Sequence, residues 1–220
     1  MGSAAKPMKI ISLPAEVLNA DTPVWVYLMS RFKWMDDALA HLVTDTFLFG
    51  RTESGMNYWD NRLFIPIFKG DELVSYSSRS MTCWMTGDVS IPKYLSGPNG
   101  GPAGVFYDPL AVRTNSRLVI VEGPLDCVPF INTSHRPIAV LGSGMHQAQI
   151  ENLPSQAYEL GVVLMLDRDK LGDTIKLANR LRGLNIRVWL ATHLMEEGVD
   201  PGDMRPAALA RLIDMAEEVA

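Results

Sequence analysis

The sequence predicts an α/β fold: a four-stranded parallel sheet flanked by helices, preceded by a smaller α+β subdomain. Three observations carry this expectation. The second half holds four almost unbroken apolar runs, in RLVIVEG (117–123), PIAVLGSG (137–144), GVVLMLD (161–167) and IRVWLA (186–191). Strands of that kind are buried on both faces, as in parallel sheets. Helical spacing lies between some of them, with Ile175, Leu177, Ala178 and Leu181 inside Asp173–Arg182. The first half differs in kind, because RLFIPIF and ELVSYSSR alternate around Lys69-Gly70-Asp71 as an antiparallel hairpin does.

Taken in order, VWVYLMSRF and DDALAHLV read as helices ahead of that hairpin. Ser96 to Pro109 is rich in Gly and Pro and reads as a loop. RLVIVEG leads through a short segment ending at Phe130 to the second apolar strand. HQAQIENL reads as a helix before GVVLMLD, and Arg205 to Ala220 reads as one short final helix. The expected domains are residues 1–112, 113–204 and 205–220.

Composition bounds the function. Of 220 residues, 47% are hydrophobic and 20% charged, which suits a packed core. The apolar runs are too short to span a bilayer, and no charged start leads into an apolar signal segment. The opening MGSAAKP reads either as an expression leader ahead of Met8 or as native sequence. Cys83 and Cys127 have no Cys or His neighbour at metal spacing, so these residues build no zinc ribbon. The net charge of −5 makes the chain no general phosphate binder, and any nucleic-acid contact needs a local basic patch.

The acids are the sharpest signal. Ligands of open parallel sheets collect beyond the carboxyl ends of the strands. Glu122 ends the first strand, Asp167 ends the third with Asp169 two residues on, and Asp200 follows the fourth after a loop. A lone acid after a strand is usually a helix N-cap, and Asp126 or Asp173 fits that role. Four acids from three loops at one sheet edge repel one another unless a cation neutralises them. Oxygen ligands alone suit Mg²⁺ or Mn²⁺. Gly123 is expected to let the chain turn sharply, and Gly172 to permit close approach beside a helix start.

EGPLD, PIAVLGSG, LMLDRDKLGD and GVDPGD, in that order, resemble the Toprim domain of DnaG-type bacterial and phage primases. The similarity covers about residues 117–204. It implies metal-related roles for Glu122, Asp126, Asp167, Asp169 and Asp200. NRLFIPIF, a strand ending in SSR, and IPKYLSGP resemble the primase segment that precedes Toprim. At the matching positions the resemblance implies that Arg62, Arg79 and Lys93 face nucleotide or nucleic acid, with Tyr94 a candidate to stack on a base. Three departures stand out. A basic residue expected in the loop before FYDPL is missing, Arg168 replaces a frequent Gly between the two Asp residues, and Asp203 lies one residue beyond a usual late Asp and is not counted as a ligand.

The resemblance implies a primase catalytic core of phage or mobile-replicon type, working in the cytoplasm, or the host cytoplasm if phage-encoded. Such an enzyme joins nucleoside triphosphates (NTPs) into short RNA primers on single-stranded DNA, using Mg²⁺ or Mn²⁺. Glu122, Asp167 and Asp169 are the expected catalytic residues. A separate zinc-ribbon protein and a replicative helicase are the further partners implied, and no membrane is. Two alternatives remain open at this point: a Toprim nuclease with the same metal cluster, and a non-catalytic replication adaptor.

Overall fold

The computed structural model describes residues 15–16, 23–47, 50–52, 62–69, 72–96, 106–109, 115–142 and 144–219. The expression-leader question at residues 1–7, the Gly70-Asp71 tip of the hairpin and most of the Gly/Pro-rich loop lie outside the described residues. In chain order the elements are β1 (Ala15–Glu16), α1 (Pro23–Arg31), α2 (Asp37–Phe47), β2 (Gly50–Thr52), β3 (Arg62–Lys69), β4 (Glu72–Ser80), α3 (Met81–Thr86) and β5 (Tyr94–Ser96). There follow β6 (Leu118–Val121), β7 (Arg136–Ala139), α4 (Gln147–Glu151), α5 (Ser155–Leu160), β8 (Val162–Leu164), α6 (Leu171–Arg182), β9 (Val188–Leu190), α7 (Pro206–Met215) and β10 (Glu217–Glu218). Among the described residues no helix is long and apolar enough to cross a membrane.

The chain divides into two compact units, one of residues 1–26 and 49–102, the other of residues 27–48 and 103–220. The first holds an antiparallel sheet in the order β1-β2-β3-β4-β5. The expected hairpin is its centre, with Leu63 opposite Arg79 and Phe64 opposite Ser78. Residues 62–67 of β3 are all buried, and the Phe64 and Tyr76 rings lie 4.8 Å apart. Among the described residues β2 pairs with Leu63 and Phe64, and Pro66 stands opposite Tyr76 of β4. The short helix α3 was not foreseen. Its signals are local: Ser80 Oγ accepts the Cys83 N–H at 3.0 Å, and Gly87 closes it at φ +69°.

The second unit carries the parallel sheet, ordered β10-β9-β8-β6-β7. β7, β6, β8 and β9 are parallel, as expected, with Leu118 beside both Arg136 and Val162, and Val163 beside Trp189. Leu118, Ile120, Ile138, Val162, Leu164 and Val188 anchor one continuous core, which Leu177, Ala178 and Leu181 of α6 cover. Each of the Leu, Ile and Val side chains among them contributes about 1.5–3 kcal/mol by leaving water.

Four expectations need correction. The final segment is not a single helix, because β10 adds an antiparallel edge strand to β9. Its Glu217-Glu218 pair carries no apolar pattern; backbone pairing and the packing of Val219 hold it. Gly172 makes no close approach, since a Cβ there would meet nothing within 4 Å. Gly123 has extended dihedrals (φ −112°, ψ 156°) open to any residue. HQAQIENL also yields a shorter helix than its pattern suggested, and Pro154 separates α4 from α5.

Candidate functional site

The strand order fixes where the acids stand. From β6 the chain moves outward to β7, whereas from β8 it moves the opposite way to β9. The direction of winding therefore reverses between β6 and β8, and such a switch point opens a crevice beyond the carboxyl ends of the strands. Glu122 directly follows β6, and Asp167 and Asp169 follow β8. Thr192, fully buried after β9, holds the β8 exit in place: its Oγ1 accepts the Leu166 N–H at 3.2 Å and donates to the Leu164 carbonyl at 3.3 Å.

Asp126 belongs to the 3-10 turn Pro124–Phe130, and Asp200 precedes, while Asp203 ends, the turn Pro201–Asp203 that packs against it. Asp126 Oδ2 accepts the Gly123 N–H at 2.8 Å, which fixes the carboxylate under the end of β6. Gly202 lies directly against this carboxylate, and a Cβ on it would come within 2.8 Å of Asp126 Oδ1.

Two cations that sequence reasoning missed enter the acidic group. The Arg31 guanidinium, at the end of α1, donates to Asp200 Oδ2 at 3.1 Å and lies 3.7 Å from Asp126 Oδ1 and 3.9 Å from Asp203 Oδ1. Lys170, next after the D-R-D run, places its Nζ 2.5 Å from both carboxylate oxygens of Glu122. Asp203, left out of the expected ligands, thus shares the Arg31 cluster. Arg168 does not turn onto an acid among these contacts; its Nη1 donates to the Met195 carbonyl.

Proton affinities reflect the crowding. Burial pushes the Asp126 carboxyl up to about 7, against the opposing pull of the Gly123 N–H and Arg31, and the charges of Asp200 and Asp167 add to the rise. Asp167 is raised by burial and then by Glu122, Asp200 and Asp169, with Lys170 opposing. At Asp200 burial acts upward, but hydrogen bonding with Asp203 and the Arg31 charge outweigh it and hold the carboxyl low. Asp203 is correspondingly raised by burial and by its bond with Asp200. Burial would lower the Lys170 ammonium, yet its hydrogen bonds to Glu122 and the charges of Glu122, Asp167 and Asp169 hold it charged. The structure therefore brings Glu122, Asp126, Asp167, Asp169 and Asp200 into one electrostatic group. Among the described residues, no three His, Cys, Asp or Glu side chains gather tightly enough to hold a metal ion as they stand. The donor set is all carboxylate, with Asp126 and Asp167 raised by burial and then by neighbouring carboxylates, and that chemistry fits a hard divalent cation.

The basic residues of the first unit fall into two kinds. Arg79 and Tyr94 are opposite one another on β4 and β5. Arg79 Nη1 donates to the Tyr94 hydroxyl at 2.7 Å, its Cζ lies 5.2 Å from the ring centroid, and Lys93 Nζ lies 5.9 Å from the same ring. Tyr94 is 40% exposed, so these three form an aromatic and basic surface. Arg62 is fully buried instead. Its Nη2 donates to the Pro92 carbonyl at 2.9 Å, with a longer 3.5 Å contact to Ser78 O. Arg62 thereby anchors the residue just before Lys93 rather than presenting its charge to solvent.

Comparison with known proteins agrees with this architecture. A Toprim-like family model matches residues 119–204. No curated protein matches the sequence. A DnaG primase catalytic domain bound to single-stranded DNA superposes with a TM-score of 0.69 at 18% identity, over 91% of this chain and 74% of that one. A DnaG catalytic core gives 0.68 at 17% identity, over 91% and 75%. The RNA polymerase domain of Mycobacterium tuberculosis DnaG, in complex with a double-stranded DNA carrying a 6-nucleotide overhang, gives 0.62 at 20% identity, over 91% and 75%. The resemblance read from EGPLD, LMLDRDKLGD and IPKYLSGP is thus matched in the fold, and residues 119–204 are similar to the Toprim-like family.

Proposed function

We propose that this chain, a Toprim-like domain within the fold of a DnaG primase catalytic core, is a primase that links ribonucleoside triphosphates on a single-stranded DNA template. One observation supports the reading above others: Glu122 and Asp167 flank the switch point of the parallel sheet, with Asp169 and Asp200 in the same electrostatic group. A phage or mobile replicon is the proposed source, and the cytoplasm its place of action.

The chemistry is attack of a 3′-hydroxyl oxygen on the α-phosphorus of an incoming triphosphate. A new phosphorus–oxygen bond forms, the bond to the β-phosphate breaks, and pyrophosphate leaves. Asp167, Asp169 and Asp200 would hold Mg²⁺ or Mn²⁺, with Glu122 at their border. Bound there, the ion supplies charge stabilisation for the phosphate oxygens in the transition state. Glu122, placed beside Asp167, is suited to receive the hydroxyl proton once its carboxylate is free. Asp126 acts less directly, because it is buried, accepts the Gly123 N–H and lies 3.7 Å from the Arg31 guanidinium, so its share is to shape the acidic group. Arg79 and Lys93 would contact nucleic-acid phosphates, and Tyr94 offers a face for a base. Arg62 holds the backbone that carries Lys93. A zinc-ribbon protein and a replicative helicase are the proposed replication partners.

The test incubates the chain with labelled single-stranded DNA, labelled ribonucleoside triphosphates, and Mg²⁺ or Mn²⁺. Template-dependent oligoribonucleotides, lost in Glu122→Gln and Asp167→Asn, would support the reading. Shortened DNA without new oligomer would make the same site a nuclease. Neither product, even with a primer end supplied, would favour a non-catalytic adaptor.

A further inference from the structure

The contact between Lys170 and Glu122 bears on how the acidic group takes up a cation. The ammonium lies 2.5 Å from both oxygens of the carboxylate, so the oxygens through which Glu122 would ligate a cation or take a proton are both engaged. Lys170 belongs to the same short turn as Asp167 and Asp169, with its N–H donating to the Asp167 carbonyl at 3.0 Å. A divalent ion entering beside those two aspartates would therefore repel the ammonium at short range. The two cations of the site differ in how readily they can leave. Arg31 is shared among three acids and its side chain is 18% exposed. Among the described residues Lys170 has one carboxylate in ion-pair contact; it is 26% exposed and carries a compact, well-hydrated charge on a flexible stem.

We propose that Lys170 is a displaceable counter-ion: it occupies the Glu122 carboxylate until a divalent cation competes for it, and Glu122 joins the site only when the ammonium swings away. This rests on the reading of the acids as a metal site. Lys170 then acts as a positioning residue that keeps the carboxylate neutralised, and the group ordered, before metal arrives. Its removal should ease metal binding, contrary to what loss of a supporting contact would do.

The test is Mn²⁺ binding to the whole chain, followed by the paramagnetic resonance of the free ion, for wild type, Lys170→Gln, Glu122→Gln and the double variant. Lys170→Gln should tighten binding about three- to tenfold. In the Glu122→Gln background the same change should have little effect, because the carboxylate over which the two cations compete is gone. Lys170→Arg, which keeps the charge and the carboxylate partner, should bind no tighter than wild type and covers the case in which Lys170→Gln does not fold. An equal gain with and without Glu122 would reduce the effect to general charge removal and overturn the proposal. Unchanged or weaker binding by Lys170→Gln, or tighter binding by Lys170→Arg, would overturn it too. If wild type binds Mn²⁺ and the coupling is absent, only this inference fails. If neither wild type nor Lys170→Gln binds Mn²⁺, the metal-site reading falls with it.

Discussion

The Arg31 guanidinium lies 3.7 Å from Asp126 Oδ1, in a cluster that also takes in Asp200 and Asp203. Asp126 is 6% exposed, so its charge depends on this neighbour and on the Gly123 N–H. Arg31→Met leaves several carboxylates without their cation and should destabilise the protein by about 2–4 kcal/mol at pH 8. Arg31→Lys should recover part of that. Urea unfolding of the metal-free protein checks both.

The same carboxyl makes stability depend on pH. Its folded pKa of about 7 exceeds the ordinary value of 3.8, so between those limits the folded state binds more protons than the unfolded one. The Asp126 contribution is therefore fully present below about pH 4 and is lost as the pH rises through about 7. Asp126→Asn keeps an acceptor for Gly123 and removes the charge. It should stabilise the metal-free protein at pH 8 by on the order of 2 kcal/mol, and the gain should shrink toward pH 5. Thermal melts of both proteins across this range supply the comparison, and a gain independent of pH would count against the assignment.

Two glycines should respond differently to alanine. At Gly161, with φ +85°, a Cβ would lie 2.4 Å from Trp189 Cζ3 and 2.7 Å from the Arg187 carbonyl. Gly161→Ala should cost about 2–4 kcal/mol through strain at the start of β8, far from the acids in the strand direction. At Gly202 the added atom would meet Arg31 Nη2 at 2.7 Å and Asp126 Oδ1 at 2.8 Å. Gly202→Ala should cost less, about 1–2 kcal/mol, because side-chain ends can shift. It should also weaken Mn²⁺ binding, which Gly161→Ala should leave intact wherever the protein stays folded.

Arg79 and Arg62 separate surface charge from buried charge. Arg79→Gln should weaken binding to single-stranded DNA and lower its salt dependence by roughly one phosphate contact. Tyr94→Ala should weaken binding by about 1–2 kcal/mol, whereas Tyr94→Phe should retain most of it. Arg62→Gln should instead lower the unfolding midpoint, because its carbonyl partners at Pro92 and Ser78 lie within the fold. Fluorescence anisotropy at several salt concentrations, set beside urea melts, distinguishes the two arginines.

The parallel sheet was legible because LVIV, PIA, VVL and the VW of β9 are buried on both faces and leave no polar alternation to confuse the reading. Glu122 and Asp167 were legible because each interrupts such a run where its strand ends. What surrounds them was not. Arg31 reaches Asp200 across 169 residues of sequence, and no local pattern announces that pairing. Lys170 was visible beside Asp169, but only the turn Arg168–Lys170 aims it back at Glu122. Arg62 looked like Arg79 in sequence, a cation at the end of a hairpin strand, and burial alone tells them apart. The grouping of residues 27–48 with the parallel-sheet unit, although they precede the antiparallel sheet, likewise depends on long-range packing.

The central claim is that the acids at the switch point catalyse nucleotidyl transfer. It is tested most directly by adding one ribonucleotide to an RNA 3′ end already annealed on a DNA template, which bypasses initiation. With Mg²⁺ or Mn²⁺, wild type should extend the primer by one residue. Asp167→Asn, shown to be folded by its melting curve, should lose this by about a hundredfold or more. Extension by Asp167→Asn at the wild-type rate would contradict the account, as would failure of wild type to extend the primer with either metal.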